Sequence, residues 1–198
     1  MGELRTNPNV LGSRGSFVTG LGFRFIYDSR DNYLSTHRGA YAAVQGMFYA
    51  QALGGTNSYS LFTVDLRKYF PLWFGHVLGV QAWGASSYWD VPFSHLPALG
   101  GQFRMRGYFE GRFRDNNAFI TQIEYRFPIV WRFGGVGFGS AGMVAPSLLD
   151  FKLKDMKGAA GGGLRFMFDK DERLNGRFDV GVSNEGEANF YIQINEAF

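Results

Sequence analysis

From Ala118 to Phe127 the chain reads AFITQIEYRF, and its side chains separate by a period of two. Phe119, Ile123, Tyr125 and Phe127 fall on one face with Thr121 the only polar member, and Gln122, Glu124 and Arg126 fall on the other. Successive strand side chains point to opposite faces, so this pattern builds a strand; a helix needs a stripe of period 3.6. The scheme recurs along the chain. Phe62, Val64, Leu66 and Phe70 oppose Thr63, Asp65 and Arg67, and Phe23, Phe25 and Tyr27 oppose Arg24 and Asp28. Phe178, Val180 and Val182 oppose Arg177, Asp179 and Gly181. The final stretch puts Phe190, Ile192, Ile194 and Phe198 on one face and Tyr191, Gln193 and Asn195 on the other. No segment keeps a helical apolar stripe, so the chain is read as all-β.

A soluble β-sandwich also alternates, but it does not place both signs of charge deep within segments of ~10 residues, the length that a tilted membrane strand needs. Aromatics make up 18% of the 198 residues and there are 28 glycines, yet mean hydropathy is only −0.14. Aromatic faces toward lipid and polar or small faces toward a wet lumen produce that combination. The reading is therefore an antiparallel transmembrane β-barrel. No apolar run approaches the ~20 residues of a membrane-spanning helix. The opening MGELRTNPN lacks the basic-then-apolar pattern of a secretion signal, so location is not read from it.

Nine strands are expected, within a range of about 8–10: Phe17–Asp28, Ala40–Ala50, Ser58–Phe70, His76–Tyr88, Ala118–Phe127, Phe133–Val144, Gly158–Phe168, Arg173–Ser183 and Ala188–Phe198. The glycine-rich FGGVGFGSAG (Phe133–Gly142) has the least separated faces, which suits a wall against which something presses closely. Residues 1–15 are expected to be an N-terminal loop or extra strand and residues 16–198 the barrel, with residues 90–117 a long loop. Connections alternate between tight aromatic turns (Phe70–Gly75, Phe127–Gly135) and longer polar ones, as in outer-membrane barrels with short periplasmic turns.

Chemistry is sparse. A net charge of +3 is too small to argue for nucleic acid, and the absence of cysteine excludes disulfides and thiolate metal sites. His37, His76 and His95 lie at different turns with no metal-ligand spacing. Phe138 replaces the first glycine of a Gly-x-Ser-x-Gly elbow, and no strand-to-helix context surrounds it. Asp28, Arg30 and Asp31 are explained as turn residues. No enzyme, metal or cofactor is expected.

The long loop carries GGQFRMRGYFEGRFRDNN (Gly100–Asn117), with four arginines, four aromatics and four glycines. Leu99–Gly101 followed by Met105–Tyr108 resembles the V-R-G-F/Y signature of the BamA/TamA family of outer-membrane assembly proteins, also called the bacterial surface antigen family. Tyr27–Gly39, Ile123–Ile129 and the terminal strand ending in Phe198 agree in kind and order, so the resemblance covers almost the whole chain. It implies that the 90–117 loop folds into the lumen, that Arg106, with Gly107 and Tyr108, forms a loop–lumen latch, and that Glu124 is the acidic partner. Ser140 stands where the family's Phe-x-Asp-x-Gly pattern, matched at Phe138–Gly142, carries aspartate. The resemblance also makes Phe190, Ile192, Ile194 and Phe198 a C-terminal assembly signal (β-signal).

The same resemblance implies the C-terminal part of a barrel of about sixteen strands in the bacterial outer membrane. The implied partners are lipid, lipopolysaccharide and unfolded outer-membrane proteins, and the implied role is their insertion or translocation. An open edge cannot face lipid, so the chain closes on itself, pairs with a second copy, or receives missing N-terminal strands. A passive small barrel, serving as pore or structural surface antigen, is the alternative.

Overall fold

The computed structural model describes residues 10–13 and 15–198. Its strands are β1 (Gly20–Asp28), β2 (Gly39–Tyr49), β3 (Tyr59–Pro71), β4 (Val77–Trp89), β5 (Asn117–Val130), β6 (Phe133–Ala145), β7 (Lys157–Asp169), β8 (Leu174–Ser183) and β9 (Ala188–Ile194). They form one antiparallel sheet in sequence order, each strand beside its chain neighbours. Among the described residues β1 pairs only with β2 and β9 only with β8, so the sheet is open.

Register keeps the two faces continuous from strand to strand. Ile123 on β5 stands between Val80 of β4 and Gly139 of β6, on the outward face. Glu124 stands between Gly79 and Phe138, on the inward face. Outward aromatics crowd the two rims: Phe70, Trp73, Trp131, Phe133 and Phe168 at the short-turn end, Tyr88 and Trp89 at the other. This is the girdle arrangement of a membrane barrel, in which amphipathic rings sit at the lipid–water boundary. Inward, polar side chains bond across strands: Gln122 Nε2 donates to Gln81 Oε1 at 2.6 Å, and Gln81 Nε2 to Asp65 Oδ1 at 2.7 Å.

The buried apolar cores lie on the inward face. Leu99, Met105 and Tyr108 of the long loop pack with Trp83, Ala85, Ala118, Ile120 and Ala159 of the wall. A second cluster joins Tyr69, Val77, Ala197 and Phe198.

Three expectations are corrected or fall outside the described residues. Residues 1–9 and 14 of the proposed N-terminal loop or strand are not described; Val10–Ser13 form a turn, with Ser13 N donating to Val10 O at 3.1 Å. The first strand starts at Gly20, three residues later than the alternation proposed. The last strand stops at Ile194, and Phe198 leaves the shared outward face. Asn195 takes φ 71°, a left-handed conformation that asparagine tolerates, and this turns the tail inward. Phe198 is then buried against Tyr69, its ring centroid 6.2 Å away, and its main-chain oxygen accepts from Arg126 Nη2 at 2.9 Å.

At the short-turn end the β1–β2 connection reaches across to the β7–β8 turn and the tail. Arg173 Nη1 lies 2.7 Å from Asp31 Oδ2, Asn32 Nδ2 donates to Glu172 O at 3.1 Å, and Glu196 N to Leu34 O at 3.3 Å. Burial alone would raise the Asp31 carboxyl. Arg173 and the amides of His37 and Arg38 outweigh it and hold that carboxyl at about 2.

Candidate functional site

The loop between β4 and β5 folds back on the inward face because its backbone is built for it. Leu99 N bonds Phe113 O at 3.0 Å and Gly111 N bonds Leu99 O at 2.9 Å, which closes the loop's stem. Gly100 at φ 95° sits where a Cβ would lie 2.4 Å from Phe109 O, so only glycine fits. Gly107 at φ 120° presses on β8, where a Cβ would lie 3.0 Å from Val182 C.

This brings Arg106 to the wall with 1% exposure, against two fully buried carboxylates. Its Nη2 donates to Glu124 Oε2 on β5, and its Nη1 to Asp179 Oδ2 on β8 at 2.5 Å. The guanidinium centre lies 3.6 Å from the Phe138 ring centroid, a cation–π contact on β6. Both carboxylates belong to a larger inward network. Arg126 Nε donates to Glu124 Oε1 at 2.6 Å, Arg165 Nη1 to Asp179 Oδ1 at 2.5 Å, and Arg165 Nε to Glu196 Oε2 at 2.7 Å. Arg177 Nη1 approaches Asp179 Oδ2 at 3.4 Å. Four arginines thus share three carboxylates, which is tolerable away from water only because the charges are paired.

Of the residues proposed from the sequence, Arg106, Gly107, Tyr108 and Glu124 meet at this site. Tyr108 OH donates to Asn184 Oδ1 in the β8–β9 turn. Ser140 lies on the same inward face, opposite Gln122, and its Oγ donates to Ala159 O at 3.4 Å rather than reaching Arg106. The second carboxylate comes instead from Asp179, two strands away. Gly163 stands opposite Asp179, and a Cβ there would lie 2.1 Å from Asp179 Oδ1, so the intervening strand makes room for the ion pairs. Phe190, Ile192 and Ile194 remain on the outward face, while Phe198 is buried.

Asp179, Arg165, Arg177 and Glu196 were not singled out from the sequence. The available signal was their position: each polar residue of RFD (Arg177–Asp179) shares the inward parity of Glu124, although parity alone does not say which strands face the loop tip. The FGGVGFGSAG stretch does admit the loop: a Cβ on Gly142 would lie 3.0 Å from Met105 Sδ.

An antiparallel sheet with an aromatic-girdled apolar exterior, a charged interior and a loop anchored inside it defines a wall of a transmembrane β-barrel. The Omp85 superfamily domain matches residues 4–198, and the chain belongs to that family. It is an outer-membrane protein. Its fold is similar to that of BamA from Haemophilus ducreyi, in a crystal structure lacking POTRA domains 1–3, with a TM-score of 0.72 and 17% sequence identity. That match covers 89% of this chain and 42% of the BamA chain, so this chain spans less than half of that protein. No curated protein sequence matches it. The BamA/TamA-type resemblance thus holds at the level of family and barrel fold.

Proposed function

We propose that the chain forms the latch-bearing part of an outer-membrane wall that assists insertion or translocation of other outer-membrane proteins. The observation that carries this reading is the match to the Omp85 superfamily over nearly the whole chain, joined to a loop arginine seated on paired carboxylates of the wall. The mechanism is non-covalent and not enzymatic. Unfolded outer-membrane proteins are the substrates, and membrane lipid and lipopolysaccharide the surroundings. Phe190, Ile192 and Ile194 serve as the outward part of a C-terminal assembly signal, and the longer loops face the exterior as surface-antigen loops.

Strand direction bears on what completes the wall. The nine sequential antiparallel strands of the described residues leave β1 and β9 running the same way. Copies inserted with the same orientation therefore present only like-directed edges to each other, and antiparallel closure needs an odd number of oppositely started strands between β9 and β1. Additional strands, rather than a second copy, supply them.

The test is reconstitution into phospholipid vesicles followed by addition of a urea-unfolded outer-membrane protein, with its folding read by gel mobility before and after boiling. Faster folding than in empty vesicles is expected. Ion conductance with no change in folding rate would replace this reading with a passive barrel.

A further inference from the structure

The wall's last hairpin is its least supported part. β9 has seven residues against thirteen in β3, β4, β6 and β7, and only one hydrogen-bonded neighbour among the described residues. An edge strand with no second partner exchanges and frays most readily. Yet each part of the β8–β9 hairpin is bonded to the long loop. On β9, Asn189 Nδ2 donates to Gly107 O at 2.8 Å, and Tyr191 OH accepts from Gly107 N at 3.0 Å. At the turn, Asn184 accepts from Tyr108 OH, and Arg112 reaches Glu185, at 2.8 Å, and Glu187. On β8, Asp179 holds Arg106, and Arg177 Nη2 donates to Gln102 O at 2.9 Å. The other side of the same loop is held by β4 and β5, through Trp83, Ile120, Glu124, and Gln122 Nε2 to Phe103 O at 2.9 Å.

We infer that the 90–117 loop is a strap that holds the edge hairpin β8–β9 to β5 across the inward face, so that loop docking and β9 order form one coupled equilibrium. The position of the second carboxylate is what makes it so. An aspartate at position 140 would tie the loop to β6, whose ladder is secured on both sides; Asp179 ties it to the hairpin that ends the sheet. Gly181 adds a packing term, since a Cβ there would lie 2.6 Å from Arg106 C. Releasing the strap therefore frees β9 before it disturbs β2–β5, and any segment that pairs with the β9 edge meets a strand whose stiffness the loop sets. This inference concerns the chain's own residues and does not depend on the proposed insertion activity.

The chain has no cysteine, so a single reversible tether can be introduced. Arg112→Cys with Glu187→Cys, bridged by a reducible bis(methanethiosulfonate) cross-linker long enough to span the Arg–Glu side-chain gap, joins loop and hairpin at an exposed pair, and the same protein is compared cross-linked and reduced. Amide exchange is read by strand on the full chain in detergent micelles. Cross-linking is expected to slow exchange in β9 and the β8–β9 turn by about tenfold while β3 and β4 stay unchanged. In a second protein, Tyr108→Phe, which keeps the ring and loses the bond to Asn184, β9 exchange should rise by about fivefold, the size of one net hydrogen bond. Unchanged β9 exchange in both, or equal changes in β3, β4 and β9, would overturn the strap.

Discussion

Asp179→Asn tests the electrostatic account of the site most directly. The carboxylate is fully buried and takes donors from three arginines: Arg106 and Arg165, each at 2.5 Å, and Arg177 at 3.4 Å. Asparagine keeps the volume but offers one acceptor oxygen and turns an NH2 group toward guanidinium donors. Four buried arginines would then share two carboxylates, Glu124 and Glu196. Removing one partner of a buried ion pair costs about 3–5 kcal/mol, because the remaining charge is left without compensation. Arg106→Gln should cost less, since it leaves Arg126, Arg165 and Arg177 balanced by Glu124, Asp179 and Glu196. With urea slopes of about 1–3 kcal/mol per molar, Asp179→Asn lowers the unfolding midpoint by roughly 1–5 M. Urea titration in detergent, read by tryptophan fluorescence and by gel mobility without boiling, measures both variants. An Arg106→Gln midpoint as low as that of Asp179→Asn would refute the charge-balance reasoning.

Three further outcomes follow from the geometry. Ser140→Asp places a fourth carboxylate on the inward face beside Phe138, so in the Asp179→Asn background it should recover at least half of the lost urea midpoint; no recovery would mean that position 140 cannot serve Arg106 in this loop geometry. Gly181→Ala should expose the 90–117 loop to protease, whereas Gly158→Ala should not, because a Cβ meets Arg106 main chain at 2.6 Å in the first case and open space in the second. The Asp31–Arg173 tie follows a depressed carboxyl: Asp31 sits at about 2 when folded against about 3.9 when unfolded, so its contribution is complete above about pH 4 and is lost as pH falls toward 2. Pepsin cleavage of the β1–β2 turn should therefore increase across that window, and Asp31→Asn should be cut readily at both ends of it.

The strands were legible in the chain because each carries its own signal. Phe119-x-x-x-Ile123-x-Tyr125 against Gln122, Glu124 and Arg126 states both the element and its faces, and a neighbouring strand is not needed to read it. Boundaries followed within a few residues at all nine strands. The loop–wall site was legible in half. Arg106 and Glu124 came from a family motif, but Asp179 did not, since it lies on β8 and Arg106 between β4 and β5, 73 residues earlier in the chain. Phe198 misled for a related reason: it continues the alternation of Phe190, Ile192 and Ile194, and nothing local announces that Asn195 reverses direction.

By itself, the amino-acid sequence determined that this chain is a series of two-faced strands, apolar and aromatic outward, charged inward, and joined alternately by short and long connections. Those are properties of period two and turn chemistry, which act over a few residues. The tertiary structure alone decided which carboxylate Arg106 meets, which hairpin the loop restrains, and that the tail turns into the lumen. Each of these depends on sheet register and curvature, which bring β5, β8 and the 90–117 loop together on one inward face; the cost of burying charge then selects partners that place every arginine beside a carboxylate.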